Sequence, residues 1–128
     1  MAKGTITFGK ISQETADSMA GVIEQVAGEI SYSGNDVLTR IHLPRRIAGK
    51  VSVRNCPNLT TLCAAERRSG EDYAVVIDGD LELDGCSKLT SFNIDGLRIN
   101  GDLILYGCTN LNALPSESLH ISGHVVFG

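Results

Sequence analysis

The sequence predicts a mainly β solenoid of about five coils, with parallel strands and one N-terminal amphipathic helix. Two observations predict this fold: glycines recur at spacings close to 22 residues, and apolar side chains follow each glycine at fixed positions. The glycines are Gly4, Gly28, Gly49, Gly79, Gly101 and Gly123. The chain has 128 residues, of which 42% are hydrophobic and 20% charged, as is typical of one folded domain. We therefore expect a single solenoid domain over residues 1–128.

The first unit, residues 4–27, is predicted to hold a strand followed by a capping helix. The run Thr5-Ile6-Thr7-Phe8 alternates as a strand does, whereas apolar residues between 16 and 27 recur at helical spacing. Ser12 suits the N-cap of this helix and Gly28 its C′ position. The pattern thus predicts an amphipathic helix over residues 13–27 that covers the first coil.

Four repeats follow, at residues 28–48, 49–78, 79–100 and 101–122, and residues 123–128 begin a partial coil. When each opening glycine is position one, positions three, five, eleven and fourteen are apolar, position seven is Gly or Asn, and position eight is Asn or Cys. A second alternating apolar pair closes the unit. Because one coil cannot bury its apolar face alone, we expect the coils to stack with these columns inside. Position seven favours a turn with positive φ.

The second repeat is longer than the others because it carries eight extra residues near 64–71. These residues are mostly polar, so they are predicted to form a protruding surface loop. Cys56, Cys86 and Cys108 share position eight, while Cys63 lies outside that column. The column predicts stacked, buried thiols and a reducing compartment rather than disulfides. It lacks the paired C-x-x-C spacing of soft-metal sites, so no metal is expected.

The run Leu103-x-Leu105-x-x-Cys108-x-x-Leu111-x-x-Leu114-Pro115 resembles a leucine-rich repeat. The preceding repeats match the same pattern, and the resemblance covers residues 28–128. It implies that the Asn/Cys column points inward and ties neighbouring turns together by side-chain-to-backbone hydrogen bonds, and that the sheet binds another protein. The closing apolar pair of each unit leaves room for a more β-helix-like cross-section. Short repeats of this style also resemble those of bacterial effector and phage-encoded proteins.

No residue set in the sequence predicts catalysis, a cofactor or a metal site, and the common nucleophile, phosphate-loop and zinc motifs do not occur. The net charge of −4 argues against direct nucleic-acid binding. No apolar run approaches the roughly 20 residues of a membrane span. Residues 1–4 lead directly into a strand pattern, so no signal peptide is expected. These features predict a cytoplasmic protein, either bacterial or delivered into a host cytosol as an effector.

Charge is unevenly distributed along the repeats, with a balance of +6 over residues 40–68 and −6 over residues 71–102. On the predicted sheet, positions two, four and six point outward and form a bipolar face. Such a face suits cross-strand ion pairs, a charged partner, or both. With the loop included, the predicted partner-binding residues are Lys50, Arg54, Arg67, Arg68, Asp80, Glu82, Asp84, Asp102, Ile104 and Tyr106.

An apolar cluster is predicted at the C-terminal end of this face, where Ile104, Tyr106 and Val126 point outward together as in an interface hot spot. The final coil is incomplete and exposes a strand edge, so either two chains stack end to end there or the chain is a fragment of a longer molecule. We favour the first interpretation, a homodimer formed through Val125, Val126 and Phe127. The main hypothesis is therefore a non-catalytic protein–protein interaction module, acting as an inhibitor, adaptor or effector. The alternative is a phage- or mobile-element-encoded inhibitor of a host defence nucleoprotein complex, similar to anti-CRISPR proteins, whose acidic face mimics nucleic acid.

Overall fold

A computed structural model describes residues 6–8, 12–19, 25–111 and 119–127. Within these ranges, short parallel strands wind into a β-solenoid of about four turns, with one helix near the N-terminus. In chain order the elements are β1 (Ile6–Phe8), α1 (Gln13–Met19), β2 (Gln25–Val26), β3 (Ile30–Ser33), β4 (Arg40–His42), β5 (Arg46–Ile47), β6 (Val51–Arg54), β7 (Thr61–Cys63), β8 (Val75–Ile77), β9 (Leu81–Asp84), β10 (Ser91–Asn93), β11 (Leu97–Ile99), β12 (Leu103–Tyr106), β13 (Leu119–Ile121) and β14 (Val125–Phe127).

Three parallel sheets form the walls of the solenoid. The six-stranded sheet has the order β1-β3-β6-β9-β12-β14, the five-stranded sheet β13-β11-β8-β5-β2, and the three-stranded sheet β10-β7-β4. Neighbouring strands come from successive turns, so Val51 pairs with Leu81 and Leu81 with Leu103. The predicted solenoid and its repeat register are therefore confirmed, with a three-walled cross-section closer to a β-helix.

The predicted apolar columns form the core. Positions three and five of the repeats are buried from Ile30 to Leu105, and the pairs Val75/Ile77 and Leu97/Ile99 are buried as well. Each fully buried Leu, Ile or Val stabilises the fold by about 1.5–3 kcal/mol relative to an exposed position. Because each coil contributes a few such residues, neighbouring coils hold one another in place.

Glycine serves two different purposes in each turn. Position seven has positive φ throughout, at +66° for Gly34, +53° for Asn55, +71° for Gly85 and +69° for Gly107, as predicted. Position one is glycine because the corners of successive turns approach closely: a Cβ on Gly79 would lie 2.8 Å from the carbonyl oxygen of the corner below. The glycines at position one therefore allow the backbones of successive turns to stack closely. The spacing of the glycines in the sequence did not reveal this reason for them.

The helix is shorter than predicted. Helix α1 is described over Gln13–Met19, the predicted helical residues 20–24 lie outside the described residues, and Val26 is a buried strand residue that pairs with Ile47 instead of lying on a helix. The prediction of a helix over 13–27 with Gly28 at its C′ position is therefore wrong at its C-terminal end. The helical spacing is misleading here because Val26 also fits the alternating pattern of a strand. The N-cap is confirmed, since the Thr15 N–H donates to Ser12 Oγ at 3.1 Å.

Helix α1 packs against β4, at the open edge of the three-stranded sheet. The Gln13 amide pairs with this edge: its Oε1 accepts from the Thr39 N–H at 2.8 Å and its Nε2 donates to the Arg40 carbonyl at 3.0 Å. Asp17 forms an ion pair with Arg40 and lies 3.6 Å from His42 Nε2. The helix thus caps the first coil as predicted, in the place where later coils have a strand.

Candidate functional site

The six-stranded sheet brings most of the predicted partner-binding residues onto one outer face. The register places Ser52, Glu82, Ile104 and Val126 in one outward row across neighbouring strands. A second row contains Arg54, Asp84 and Tyr106. Lys50, Asp80 and Asp102 precede the paired residues Val51, Leu81 and Leu103 and form a third row. The predicted face therefore exists as one continuous surface.

Two of its charges are paired with each other. The Arg54 Nε on β6 donates to Glu82 Oε1 at 2.9 Å. Glu82 lies on the neighbouring strand β9, in the adjacent row of the face. The Glu82 side chain is 15% exposed, whereas that of Arg54 is 50% exposed. An ion pair this close to water contributes about 0–1 kcal/mol. Ser52, the register neighbour of Glu82 on β6, is buried.

Two other carboxylates accept hydrogen bonds from backbone N–H groups. Asp80 Oδ1 accepts a hydrogen bond from the Asp102 N–H at 2.7 Å, and Asp102 Oδ1 accepts one from the His124 N–H at 2.8 Å. Each carboxylate thus lies over the corner glycine of the next turn, Gly101 or Gly123. The Gly-Asp sequence at these corners therefore joins successive coils. One carboxylate oxygen of each of these two aspartates is engaged in a backbone hydrogen bond.

The apolar end of the face lies around β12 and β14. Ile104 and Val126 are register neighbours and half-buried, and Tyr106 is 41% exposed. Val125 and Phe127 occupy inward positions of the repeat, yet they are 41% and 71% exposed. Among the described residues, three of the four exposed large hydrophobic side chains belong to this end of the molecule, the fourth being Val37.

The two loop arginines do not join this face. Arg67 Nε donates to Asp95 Oδ2 at 3.1 Å and its Nη1 to the Asp72 carbonyl at 3.4 Å, while the Arg68 N–H donates to Glu71 Oε1 at 3.1 Å. Arg45 also reaches the loop, donating to the Glu66 carbonyl at 3.0 Å. The insertion is an exposed loop, as predicted, and these contacts pin it against the body of the solenoid.

The cysteine column is interior. Cys86 Sγ donates to the Val53 carbonyl at 3.8 Å and Cys108 Sγ to the Leu83 carbonyl at 3.6 Å, so each thiol ties its turn to the one before. A hydrogen bond from Cys86 lowers the pKa of the Cys56 thiol to about 7, and the same bond, with burial, raises the pKa of Cys86. Cys56 is 0% exposed, so this lowered pKa produces no accessible thiolate.

Asn35 fills the same column in the second turn. Its Oδ1 accepts from the N–H groups of Val37 and Leu38 at 2.9 and 3.1 Å. The column therefore combines an Asn side chain that caps its own turn with thiols that bond to the backbone of the preceding turn. Within residues 12–19, 25–111 and 119–127, no cluster of three or more His, Cys, Asp or Glu side chains is arranged to hold a metal ion.

A second surface, which the sequence reasoning missed, lies on the five-stranded sheet. An open groove of about 460 Å³ is lined by Arg46, Glu71, Asp72, Tyr73, Val76, Arg98 and Asn100. Strands β5, β8 and β11 form its floor, and the end of the insertion loop forms a wall. The inward pairs at 75/77 and 97/99 already implied that Val76 and Arg98 point outward together, which is the signal that could have found it.

Comparison with protein-family models, with curated proteins and with solved structures finds no match to this chain. The fold itself establishes the class of the protein, which is a parallel-strand β-solenoid with repeats of about 22 residues. In the part of the chain that is described, no helix has both the length and the apolar character needed to cross a membrane.

Proposed function

We propose that this protein is a non-catalytic protein–protein interaction module whose contact surface is the outer face of the six-stranded sheet. The observation that carries this proposal is the apolar end of the face, where Ile104, Tyr106 and Val126 lie together beside the exposed Val125 and Phe127. Soluble proteins rarely expose contiguous apolar patches without a partner for them. A tyrosine flanked by aliphatic side chains is typical of interface hot spots.

The charged rows support the same role as a rim. Glu82 and Asp84 on β9 border the apolar end on one side. Arg54 pairs with Glu82 from β6, the strand that Lys50 precedes. Rim charges of both signs orient a partner and raise the association rate more than they add affinity. A partner is therefore expected to carry an apolar centre with complementary charges beside it.

The acidic residues favour this role over the mimicry of nucleic acid by an inhibitor of a nucleoprotein complex. Asp80 and Asp102 accept hydrogen bonds from backbone N–H groups of the next turn, and Glu82 is paired with Arg54. A mimic needs carboxylates that are available to basic partner residues. An inhibitor, adaptor or effector that acts through the apolar end fits the surface better.

The open end of the solenoid is proposed as a self-association site. Strand β14 is the edge of the six-stranded sheet, and a second copy that stacks there covers Val125 and Phe127 as the next coil of a solenoid would. Val126 lies between them on the outer side and links the two proposed surfaces. A homodimer of this kind joins the chains through the C-terminal coil.

We further propose that the repeat is of the leucine-rich type and that the protein works in a reducing cytoplasm. The inward Cys and Asn side chains, bonded to backbone groups of their own or the preceding turn, support the first statement. The second is supported by free thiols at Cys56, Cys63, Cys86 and Cys108.

The interaction surface is tested by site-specific photo-crosslinking. A photoreactive phenylalanine analogue at position 106 is expected to capture a defined protein in cells, and the same group at Val37, which is 53% exposed elsewhere on the chain, is not. The captured protein is then purified and its affinity is measured by calorimetry. Ile104→Glu is expected to weaken binding at least about tenfold, because it places a charge in the apolar centre.

Val37→Glu is the matched control for this measurement, since it adds the same charge at another exposed apolar site. Equal affinities of the Ile104→Glu and Val37→Glu variants for the captured protein would refute the assignment of the face. So would capture of the same set of proteins from positions 106 and 37.

A further inference from the structure

The groove on the five-stranded sheet contains two arginines separated by one small apolar residue. The register places Arg46, Val76 and Arg98 side by side on β5, β8 and β11. Because parallel strands lie about 4.8 Å apart, the Cα atoms of the two arginines are roughly 10 Å apart, with Val76 between them. Val76 is too short to fill this gap, so it forms the floor of a slot between two guanidinium groups.

A chain of hydrogen bonds holds the two arginines in place. Arg46 Nη2 donates to Asp78 Oδ2 at 3.1 Å, and Asn100 Nδ2 donates to Asp78 Oδ1 at 3.0 Å. The Asn100 Oδ1 in turn accepts from Arg98 Nε at 2.8 Å. A ligand that binds between the arginines therefore meets side chains whose conformational freedom is already reduced, which lowers the entropic cost of binding.

Arg98 also contacts an aromatic ring. Its Cζ lies 5.9 Å from the centre of the Tyr73 ring, and this ring lies 6.5 Å from that of His120. These contacts occupy one face and the Nε edge of the guanidinium. Among the described residues, none accepts a hydrogen bond from its two Nη atoms. The Nη atoms are the part of an arginine that binds an oxyanion through a two-point contact.

The charges around the slot define the ligand. Asp78 offsets one of the two arginines, which leaves the floor with about one positive charge. Glu71 and Asp72 line the rim. Arg45 Nη1 lies 3.8 Å from Glu71 Oε1 and offsets its charge, so the rim keeps about one negative charge, which disfavours a polyanion such as nucleic acid more than a single carboxylate. We propose that the slot binds a single carboxylate group, supplied by a small organic acid or by an acidic peptide, with Arg98 as the main contact and Arg46 as the second.

The Tyr73 wall lies at the end of the insertion. Tyr73 follows the eight extra residues of the long repeat, and Arg45 and Arg67 hold that loop through the Glu66 and Asp72 carbonyls. The proposal therefore gives the one irregular repeat of the chain a purpose that is separate from the interaction surface on the six-stranded sheet.

The proposal is tested by NMR titration of the full chain, in which the Nε–Hε signals of the arginines are followed. The probes are propionate, its neutral amide propionamide, inorganic phosphate, and glutamic acid blocked at both backbone ends as the peptide source. Propionate and blocked glutamate are expected to shift the Arg98 and Arg46 signals to saturation, and propionamide is expected to leave them unchanged. Tighter binding of blocked glutamate than of propionate identifies the peptide as the better source, and the reverse identifies the small acid.

Arg98→Lys keeps the charge but removes the two-point contact, so it is expected to weaken propionate binding about tenfold. Arg54→Lys makes the same change on the six-stranded sheet and is expected to have no effect. Val76→Glu places a carboxylate of the chain itself in the slot and is expected to abolish binding. The proposal is overturned if the shifts never saturate, if Arg98→Lys and Arg54→Lys behave alike, or if phosphate binds more tightly than propionate.

Discussion

Substitutions at Gly34 measure how much a positive φ alone lowers the stability of a non-glycine residue in this fold. Its φ is +66°, and a Cβ built there meets no atom within 4 Å. Asn55 occupies the equivalent position of the next turn with a φ of +53°. Asn tolerates this left-handed conformation, whereas a β-branched residue does not.

We therefore predict that Gly34→Val lowers the free energy of unfolding by about 1–2 kcal/mol, while Gly34→Asn lowers it by less than about 1 kcal/mol. The two variants differ only in how well they accept positive φ, because the site has no steric contacts. Urea denaturation checks the difference. If both variants were equally stable, the conformation of the turn would not be what selects Gly and Asn at position seven.

At the scale of single elements, α1 is a cap whose attachment depends on charge. Partial burial opposes ionisation of Asp17, but the hydrogen bond from Gln13 and the charge of Arg40 outweigh it and hold the pKa of the Asp17 carboxyl below its ordinary value of 3.8. A lowered folded-state pKa means that the ionised group stabilises the fold above the ordinary value. This contribution is lost as the pH falls through the lowered, folded-state pKa of Asp17.

Asp17→Asn is accordingly predicted to remove part of the loss of stability that acid causes below pH ~4. The measurement is the urea midpoint as a function of pH, together with hydrogen exchange at the Thr39 and Arg40 amides beside the helix. Asp36→Asn, at an exposed carboxylate in the turn after β3, is the control. A pH profile for Asp17→Asn that matched that of the wild type would show that the helix is held by Gln13 and packing alone.

The same element shows where sequence reasoning reaches its limit. The residues that face the core recur at the same positions from Ile30 to Leu105, so the strands of the six- and five-stranded sheets could be predicted from Leu81, Leu83, Leu97 and Ile99 and their equivalents. The end of α1 could not be predicted, because Val26 satisfies both a helical and an alternating period. Only its pairing with Ile47 in three dimensions decides between the two.

At the scale of the whole molecule, the exposed side chains of β14 are the proposed site of association between copies. We predict that the protein is a homodimer and that Phe127→Glu makes it monomeric, because the charge lies where the second copy covers β14. Val37→Glu, at an exposed apolar residue away from β14, is expected to remain dimeric. Sedimentation velocity over a range of concentrations distinguishes these outcomes. A wild-type chain that stayed monomeric at its highest soluble concentration would contradict the prediction.

The candidate surfaces could be predicted from the sequence only in part. The outer face of the six-stranded sheet followed from alternation, but the use of Asp80 and Asp102 as backbone partners did not, because it depends on how closely successive corners stack. The arginine slot was missed for a related reason. Arg46, Val76 and Arg98 are far apart in the sequence, and the irregular loop hides their common register.

The long repeat has a wider consequence. Its extra residues lie between β7 and β8, yet β7 still pairs with β10 and β8 with β11 without a shift. Loop entropy grows only slowly with length, so a longer bend costs little once the strands on either side are stacked. New recognition properties can therefore be acquired by lengthening one bend at a time, while the apolar interior stays as it is. The same tolerance makes the bends of this solenoid natural positions for grafted peptides.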